Sequence, residues 1–428
     1  MNSGCLFVAS VIFGSSTWFS TNAVWLELPI LTQRLPEGWS LPSYLSAIIQ
    51  IACIGPLIYS ICFKCIKIRF SAGILITFLL LFCTVCTFLT SIYWSSIVTI
   101  FDKNVSFPLM ILVFGMALVN ATSNVLFMPY MAAFDTSLLN AFFLGMSFSS
   151  LIPSLISLSQ GTGRYECVKS GNSTLYGPEY YDPSFSAATF FQLSTGWLVI
   201  TIIAFLYLEK KYKEKRSLPI ESEDEEDGNE MDEMSKLNTN IEIEETTTKK
   251  GDTKTFIIQL FLLAITSAQN NAIIPSLSSF VALPYSQTTY HLTLTLSNIA
   301  APIACILPFF LNTTSLSIHI FLTIVSMITT SVLVFFAANS PKILISVFTG
   351  SGVVVLTSSI TFGLLSYLRS VITSSIRNSV SPTNIHNRLF WSGCVMQMGS
   401  FVAAIIIFPL VNVFNLFHAA VPCSEWNV

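Results

Sequence analysis

The chain has 428 residues, of which 53% are hydrophobic and only 10% charged, with a formal net charge of −3 and a mean hydropathy of +0.69. Soluble domains carry about 25% charged residues. The composition therefore excludes a soluble globule and points to a protein that spans a membrane several times.

A helix needs about 20 mostly apolar residues to cross the bilayer. Eleven segments meet this, at roughly 5–31, 42–62, 71–93, 107–129, 138–158, 186–208, 255–281, 289–311, 316–338, 342–366 and 389–412. Across them the sequence places one carboxylate, Glu27, and no Lys or Arg beyond Lys342, the first residue of the tenth. Ionisable groups in hydrocarbon are costly, and pumps and ion pathways keep several. These spans carry amides and aromatic rings instead, which suits a neutral, planar, polar solute.

In the first span Ser15, Trp18, Thr21, Asn22 and Trp25 share one helix face, from the 100° turn per residue. Two indoles flanking an amide can sandwich a flat ring and read its edge. The plainer alternative has the tryptophans packing on neighbouring helices, with Asn22 bonding across them, and Trp25 in an interfacial belt. Glu27 lies opposite Trp18 on an ideal helix, just before Pro29. It either reaches the cavity mouth where the helix unwinds, or caps or salt-bridges outside, with Arg34 as a partner. In the fourth span Asn120, Asn124 and Phe127 fall on one face.

Residues 209–254 hold 15 acidic and 9 basic residues, the basic ones leading and an acidic run following at Glu221–Asp227. Few large apolar side chains accompany them, as expected of a disordered cytoplasmic linker. The seventh span holds Thr266 and three consecutive amides, Gln269, Asn270 and Asn271, followed by Pro275, which removes a backbone bond and permits a kink. Packing alone explains such a run poorly, so at least one of these amides is expected to meet substrate. In the eighth span His291 and Asn298 share a face, with Tyr290 and Ser297 beside it. A lone His in a helix is more often structural than a proton relay. The four histidines are scattered, so no metal constellation arises.

Orientation follows from the basic residues. With the N-terminus in the cytoplasm, 15 Lys and Arg fall inside and five outside, at Arg34, Lys103, Arg164, Lys169 and Lys342. The C-terminus, with a tail over 413–428, is then extracellular. The sequons at Asn104 and Asn172 fall on outside loops and are glycosylation candidates, while Asn312 falls inside and is read as a chance match. Of ten cysteines only Cys167 and Cys423 lie outside, where oxidising conditions allow a disulfide. They are the candidate pair, and their spacing leaves open whether they bond. The linker separates six spans (1–208) from five (255–412), and the halves echo each other. Adding 246 to Pro29, Tyr44 and Pro56 gives Pro275, Tyr290 and Pro302. Parallel repeats with the substrate between them are a common transporter plan. The expected fold is an all-α polytopic membrane protein of about 11 helices in two bundles. That arrangement resembles the major facilitator or equilibrative nucleoside transporters with a twelfth helix missing.

The segment Trp25-Leu26-Glu27-Leu28-Pro29, followed by Leu35-Pro36-Glu37-Gly38-Trp39-Ser40-Leu41-Pro42-Ser43-Tyr44, resembles the eukaryotic riboflavin transporter family. Further matches are Thr122-Ser123-Asn124-Val125-Leu126-Phe127-Met128-Pro129, Phe142-Phe143-Leu144-Gly145 and Gln160-Gly161-Thr162-Gly163-Arg164-Tyr165-Glu166-Cys167. Leu283-Pro284-Tyr285, Tyr290-His291, Phe408-Pro409 and Phe414-Asn415-Leu416-Phe417 fit too, so the quoted matches run in order from residue 25 to 417, with only the linker unrelated. One departure is Met146, where a Gln is expected, and it bears on affinity or substrate range. The resemblance implies sodium-independent uptake of riboflavin at the plasma membrane, with no cofactor and no nucleic-acid partner. Isoalloxazine is flat and edged with donors and acceptors, which aromatic stacking and amides suit. Besides this reading stand a carrier for a nucleoside or another flat heterocycle, and a vitamin-binding membrane receptor that moves nothing. An enzyme is disfavoured, since the spans contain no paired carboxylates, HExxH, GxSxG or nucleotide loop.

Overall fold

The computed structural model describes residues 3–38, 41–64, 71–131, 134–161, 165–169, 176–217, 253–311, 313–379 and 382–418. Among these, ten helices are long and apolar enough to cross a membrane, and a bent pair, Gly4–Ser15 with Phe19–Leu26, brings the number to 11. Span 1 comprises α1 (Ser3–Ser15), α2 (Phe19–Leu26) and α3 (Leu28–Arg34), and span 2 comprises α4 (Leu41–Ala52) and α5 (Ile54–Lys64). Spans 3 to 6 are α6 (Ala72–Tyr93), α7 (Phe107–Met131), α8 (Thr136–Gln160) and α9 (Ala187–Ser217). Span 7 runs Thr253–Ala282. It is built from α10 (253–268), a π-helical turn over Gln269–Ile273 and α11 (Ile274–Ala282). Spans 8 to 11 are α12 (Gln287–Ile306), α13 (Leu316–Ala338), α14 (Val347–Asn378) and α15 (Pro382–Asn412).

Hydropathy located every span, and the charged helix ends are where it fell short. α9 continues to Ser217 and α14 to Asn378, so the start of the expected linker and the stretch holding Arg369 and Arg377 are helical. Charged residues mark where a helix leaves hydrocarbon, not where it stops. Two short antiparallel hairpins interrupt the helices outside the spans, Val98–Ile100 with Lys103–Val105 and Tyr165–Lys169 with Tyr176–Tyr180. The first turns through Phe101 and Asp102, both at positive φ, and Asn104 is exposed on it, accepting a hydrogen bond from Thr99 at 2.9 Å. Asn172, Asn312 and Cys423 lie outside the described residues, as does the side chain of Cys167.

Span 1 bends by 52° between α1 and α2. The hydroxyls of Ser15, Ser16 and Thr17 each bond the carbonyl three residues back. Such local bonds compete with the helix ladder, and three in succession end it. The chain then breaks again at Glu27, ahead of Pro29. Span 7 departs from α-helix in the same place relative to its proline: the Ile274 N–H reaches the Gln269 carbonyl, five residues back. The offset of 246 therefore relates two helix irregularities as well as two prolines.

In the first half α1 packs on α8 and α9, and α6 on α7 and α9. Phe13 forms the centre, in ring contact with Phe127, Phe142 and Phe205 at 4.9–5.5 Å. The second half packs α12 on α14 and α13 on α11 and α14, around Leu277, Val281, Tyr285, Leu333 and Val354. Outward, α6 exposes Phe78, Phe82, Val85, Phe88 and Ile92. In water this apolar row would drive association; in a bilayer it meets lipid tails. The halves meet along α7 against α15 and α8 against α12 and α14.

Candidate functional site

Most hydroxyls in the spans serve their own helices. Ser10, Thr77, Thr84, Thr87 and Thr90 each donate to the carbonyl four residues earlier, at 2.7–2.9 Å. The amides instead join one helix to another, as do a few other polar side chains, and these contacts divide into two sets.

The first set is consumed within one half. Asn120 is fully buried and donates to Ser20 at 3.0 Å and Thr21 at 3.1 Å, while the Cys83 thiol donates to its carbonyl. Phe127, one turn beyond Asn124, points into the Phe13 cluster. Gln269 donates to Ser326 at 3.3 Å and accepts from Thr330 at 2.7 Å, both on α13. Asn22 donates to the Ser149 carbonyl on α8 at 3.2 Å. Asn271 donates to Ser400 on α15 at 3.0 Å and accepts from Asn270 at 2.8 Å. The π turn separates these roles. Across it Gln269 reaches α13 while Asn271 reaches α15 and Asn270 bonds Asn271, both half-buried, and such insertions are frequent at functional sites.

The second set crosses between halves. Asn124 on α7 donates to the Gln397 carbonyl on α15 at 3.2 Å, and the Gln397 amide donates to Cys53 in span 2 at 2.9 Å. Asn298 on α12 bonds Ser154 on α8, and Ser147 on α8 meets the Cys305 thiol at 3.1 Å. At one end of the molecule the Arg377 guanidinium donates to the Phe134 carbonyl and to Thr136, and Thr136 donates to Asn378 at 2.9 Å. Phe7 meets Phe309 there at 5.6 Å.

The remaining residues singled out in the sequence differ in burial. Trp18 is half-buried at the start of α2 and Trp25 is 36% exposed. Tyr290 and His291 are half-buried, their rings 6.1 Å apart. Glu27 is completely buried at the second break of span 1, and neither carboxyl oxygen is hydrogen-bonded. Gln160 is the polar side chain beside it, but the Gln160 amide is spent on the Phe185 carbonyl at 2.9 Å. Met146, the departure from the expected Gln, packs into the large apolar cluster that also holds Phe13 and Phe142. Gln397, Ser400 and Cys53 were not read from the sequence. The signal was there for Gln397, a single amide in the apolar run Val395-Met396-Gln397-Met398. Among the described residues no group of three His, Cys, Asp or Glu is placed to hold a metal ion.

The model of the solute carrier family 52 riboflavin transporters matches residues 3–419. Riboflavin transporter rft-1 of Caenorhabditis elegans is 43% identical over 97% of this chain and 98% of its own length. The riboflavin transporter member 3-A of the same family from Danio rerio is 32% identical, covering 96% of each chain. The human member 3 is 29% identical over 96% of this chain and 97% of its own. Among solved structures, the major facilitator transporter FucP in its outward conformation aligns at a TM-score of 0.54 with 13% identity, over 96% of this chain and 92% of that one. The proton:xylose symporter XylE aligns at 0.53 with 12% identity, over 98% and 92%. These structures share the fold, that of a major facilitator transporter.

Proposed function

The chain belongs to solute carrier family 52, the riboflavin transporters, and we propose that it carries riboflavin into the cell across the plasma membrane, by alternating access and without sodium. It is a transporter and not an enzyme. The observation that carries the cargo assignment is the amide pair Asn124–Gln397 joining α7 to α15, with Asn298 crossing separately from α12 to α8 and Asn271 bonded to Ser400 on the same α15.

Riboflavin is neutral, so its carrier needs no opposite charge at membrane depth. The isoalloxazine faces want aromatic surface and its rim wants donors and acceptors, while the ribityl chain is a polyol that Ser, Thr and Asn can hold. Trp18, Asn22, Trp25, Asn124, Asn270, Asn271, Tyr290, His291 and Asn298 are the proposed contacts, with Glu27 at the mouth. Asn120, Phe127 and Gln269 act one layer behind, holding α7 and span 7 in place through their bonds and packing. Ligand specificity then has a physical source. A buried donor or acceptor stranded by the wrong ligand costs about 1–3 kcal/mol, and sites built to hydrogen-bond a group reject analogues lacking it. The basic-residue bias supports a cytoplasmic N-terminus and extracellular C-terminus. In that orientation the Arg377–Phe134 contacts lie at the cytoplasmic end.

Radiolabelled riboflavin uptake into cells expressing the chain, and into sealed vesicles, tests the reading. Saturable accumulation blocked by riboflavin and lumiflavin but not by adenosine is expected. Inhibition by adenosine would move the cargo to nucleosides. Binding without accumulation in vesicles would make the protein a receptor.

A further inference from the structure

We propose that Gln397 is a specificity-determining residue of this site, and that it reads the imide edge of the flavin, the N3–H flanked by the C2 and C4 carbonyls. The inference rests on the riboflavin reading and deepens it.

Gln397 is 5% exposed and belongs to the last span, yet its amide is shared by three helices of both halves. Its carbonyl accepts from Asn124 of span 4 at 3.2 Å, and its N–H donates to the Cys53 sulfur of span 2 at 2.9 Å. The helices touch closely at this level. A Cβ on Gly393, one turn before Gln397, would stand 2.0 Å from the Asn124 carbonyl oxygen. One turn after Gln397, Ser400 accepts from Asn271. Gln397 therefore stands in a polar row that faces spans 2 and 4 and continues to the amides of span 7.

Two features of this arrangement point to a ligand. First, the bond from Asn124 joins the two halves, so halves that rock apart must break it. A buried amide must then find equivalent partners or lose its bonds uncompensated. Second, the thiol sulfur is a weak acceptor, so the Gln397 N–H holds the poorest partner of any amide on the seam. A carboxamide presents one acceptor beside a donor. An imide edge presents a donor beside an acceptor. N3–H donating to Oε1 and a ring carbonyl accepting from Nε2 satisfy both atoms of Gln397 together, and improve on the sulfur. Asn124, released, has its Nδ2 free for the second carbonyl.

The test compares riboflavin with 3-methylriboflavin, in which the N3 proton is replaced, as competitors of riboflavin uptake in the parent and in two variants. Gln397→Met keeps the length of the side chain and removes both polar atoms; Gln397→Ala serves as the second variant, and surface amounts are matched by labelling. In the parent, 3-methylriboflavin should compete about tenfold or more weakly. In the variants riboflavin itself should weaken by a similar factor, and the preference over the methylated analogue should shrink to about one. A merely structural role would lower the amount of uptake and leave the ratio of the two competitors' potencies intact. An unchanged ratio in either variant, or a parent indifferent to N3 methylation, overturns the assignment while leaving riboflavin transport standing. A parent at the surface that moves no riboflavin removes both.

Discussion

Span 1 and span 5 cross at two glycines, and that crossing gives the sharpest test of the packing. A Cβ added at Gly145 would lie 2.0 Å from the Val11 carbonyl oxygen and 2.9 Å from the Gly14 Cα, and one at Gly14 would lie 2.2 Å from the Phe142 carbonyl oxygen. The opposing atoms are backbone, so no rotamer change relieves the overlap. Since contacts under 3.0 Å force a shift, α1 and α8 must separate by at least 3.0 − 2.0 = 1.0 Å. A gap of that size forfeits about a quarter to a half of the attraction between facing atoms. Overpacking on this scale costs about 3 kcal/mol, and alanine's better helix propensity returns about 1 kcal/mol. A net loss of about 2 kcal/mol is expected for Gly145→Ala, read as a lower melting temperature of the detergent-solubilised protein. Gly196→Ala is the control: nothing lies within 4 Å of a Cβ there, so it should melt with the parent or slightly above it. If Gly145→Ala melts with the parent, the close crossing of α1 and α8 is wrong.

Asn120→Ala strands the hydroxyls of Ser20 and Thr21, and a destabilisation of about 1–3 kcal/mol should appear as lost surface protein, with an unchanged half-saturation for riboflavin in what remains. Arg377→Ala removes the bonds to Phe134 and Thr136 that join α14 to α8. Loosening that end should raise labelling of the buried Cys305, located by peptide mapping, above the parent's level; equal labelling would dismiss the contact as a latch. Glycosidase treatment should shift the mass of the parent but not as far in Asn104→Gln, and a sugar found on Asn312 would reverse the orientation. Glu27→Gln keeps the shape of a fully buried side chain without its acid, and uptake should fall. Unchanged uptake from mildly acidic to mildly alkaline medium would take Glu27 out of the site.

Spans were legible because the bilayer imposes a length and an apolar content that no other environment demands. Helix interiors were not, since their irregularities depend on how backbone groups are shared. The run Ser15-Ser16-Thr17 reads as ordinary small polar residues until its hydroxyls are seen to bond backward and end α1. Pro275 signalled a disturbance, but not a π turn before it across which Gln269 reaches α13 and Asn271 reaches α15. Helical-wheel reasoning grouped Asn120, Asn124 and Phe127 on one face. A face some 60° wide spans both the core of one half and the seam with the other, which is why Asn124 crosses to α15 while its two companions turn inward.

Partner location sorts these amides better than exposure does. Asn120 and Asn124 are both buried, at 0% and 6% exposure, and burial alone would treat them alike. Their bonds differ in what happens when the halves move as the alternating-access proposal requires. Asn120 to Ser20 and Thr21, and Gln269 to Ser326 and Thr330, lie within single halves and survive the motion unchanged; they hold each half rigid. Asn124 to Gln397 and Asn298 to Ser154 span the seam and must be exchanged in every cycle. An exchangeable bond between buried amides is costly to break into nothing and cheap to break onto a matching ligand. On that proposal the same bonds hold the empty carrier closed and make its opening conditional on cargo.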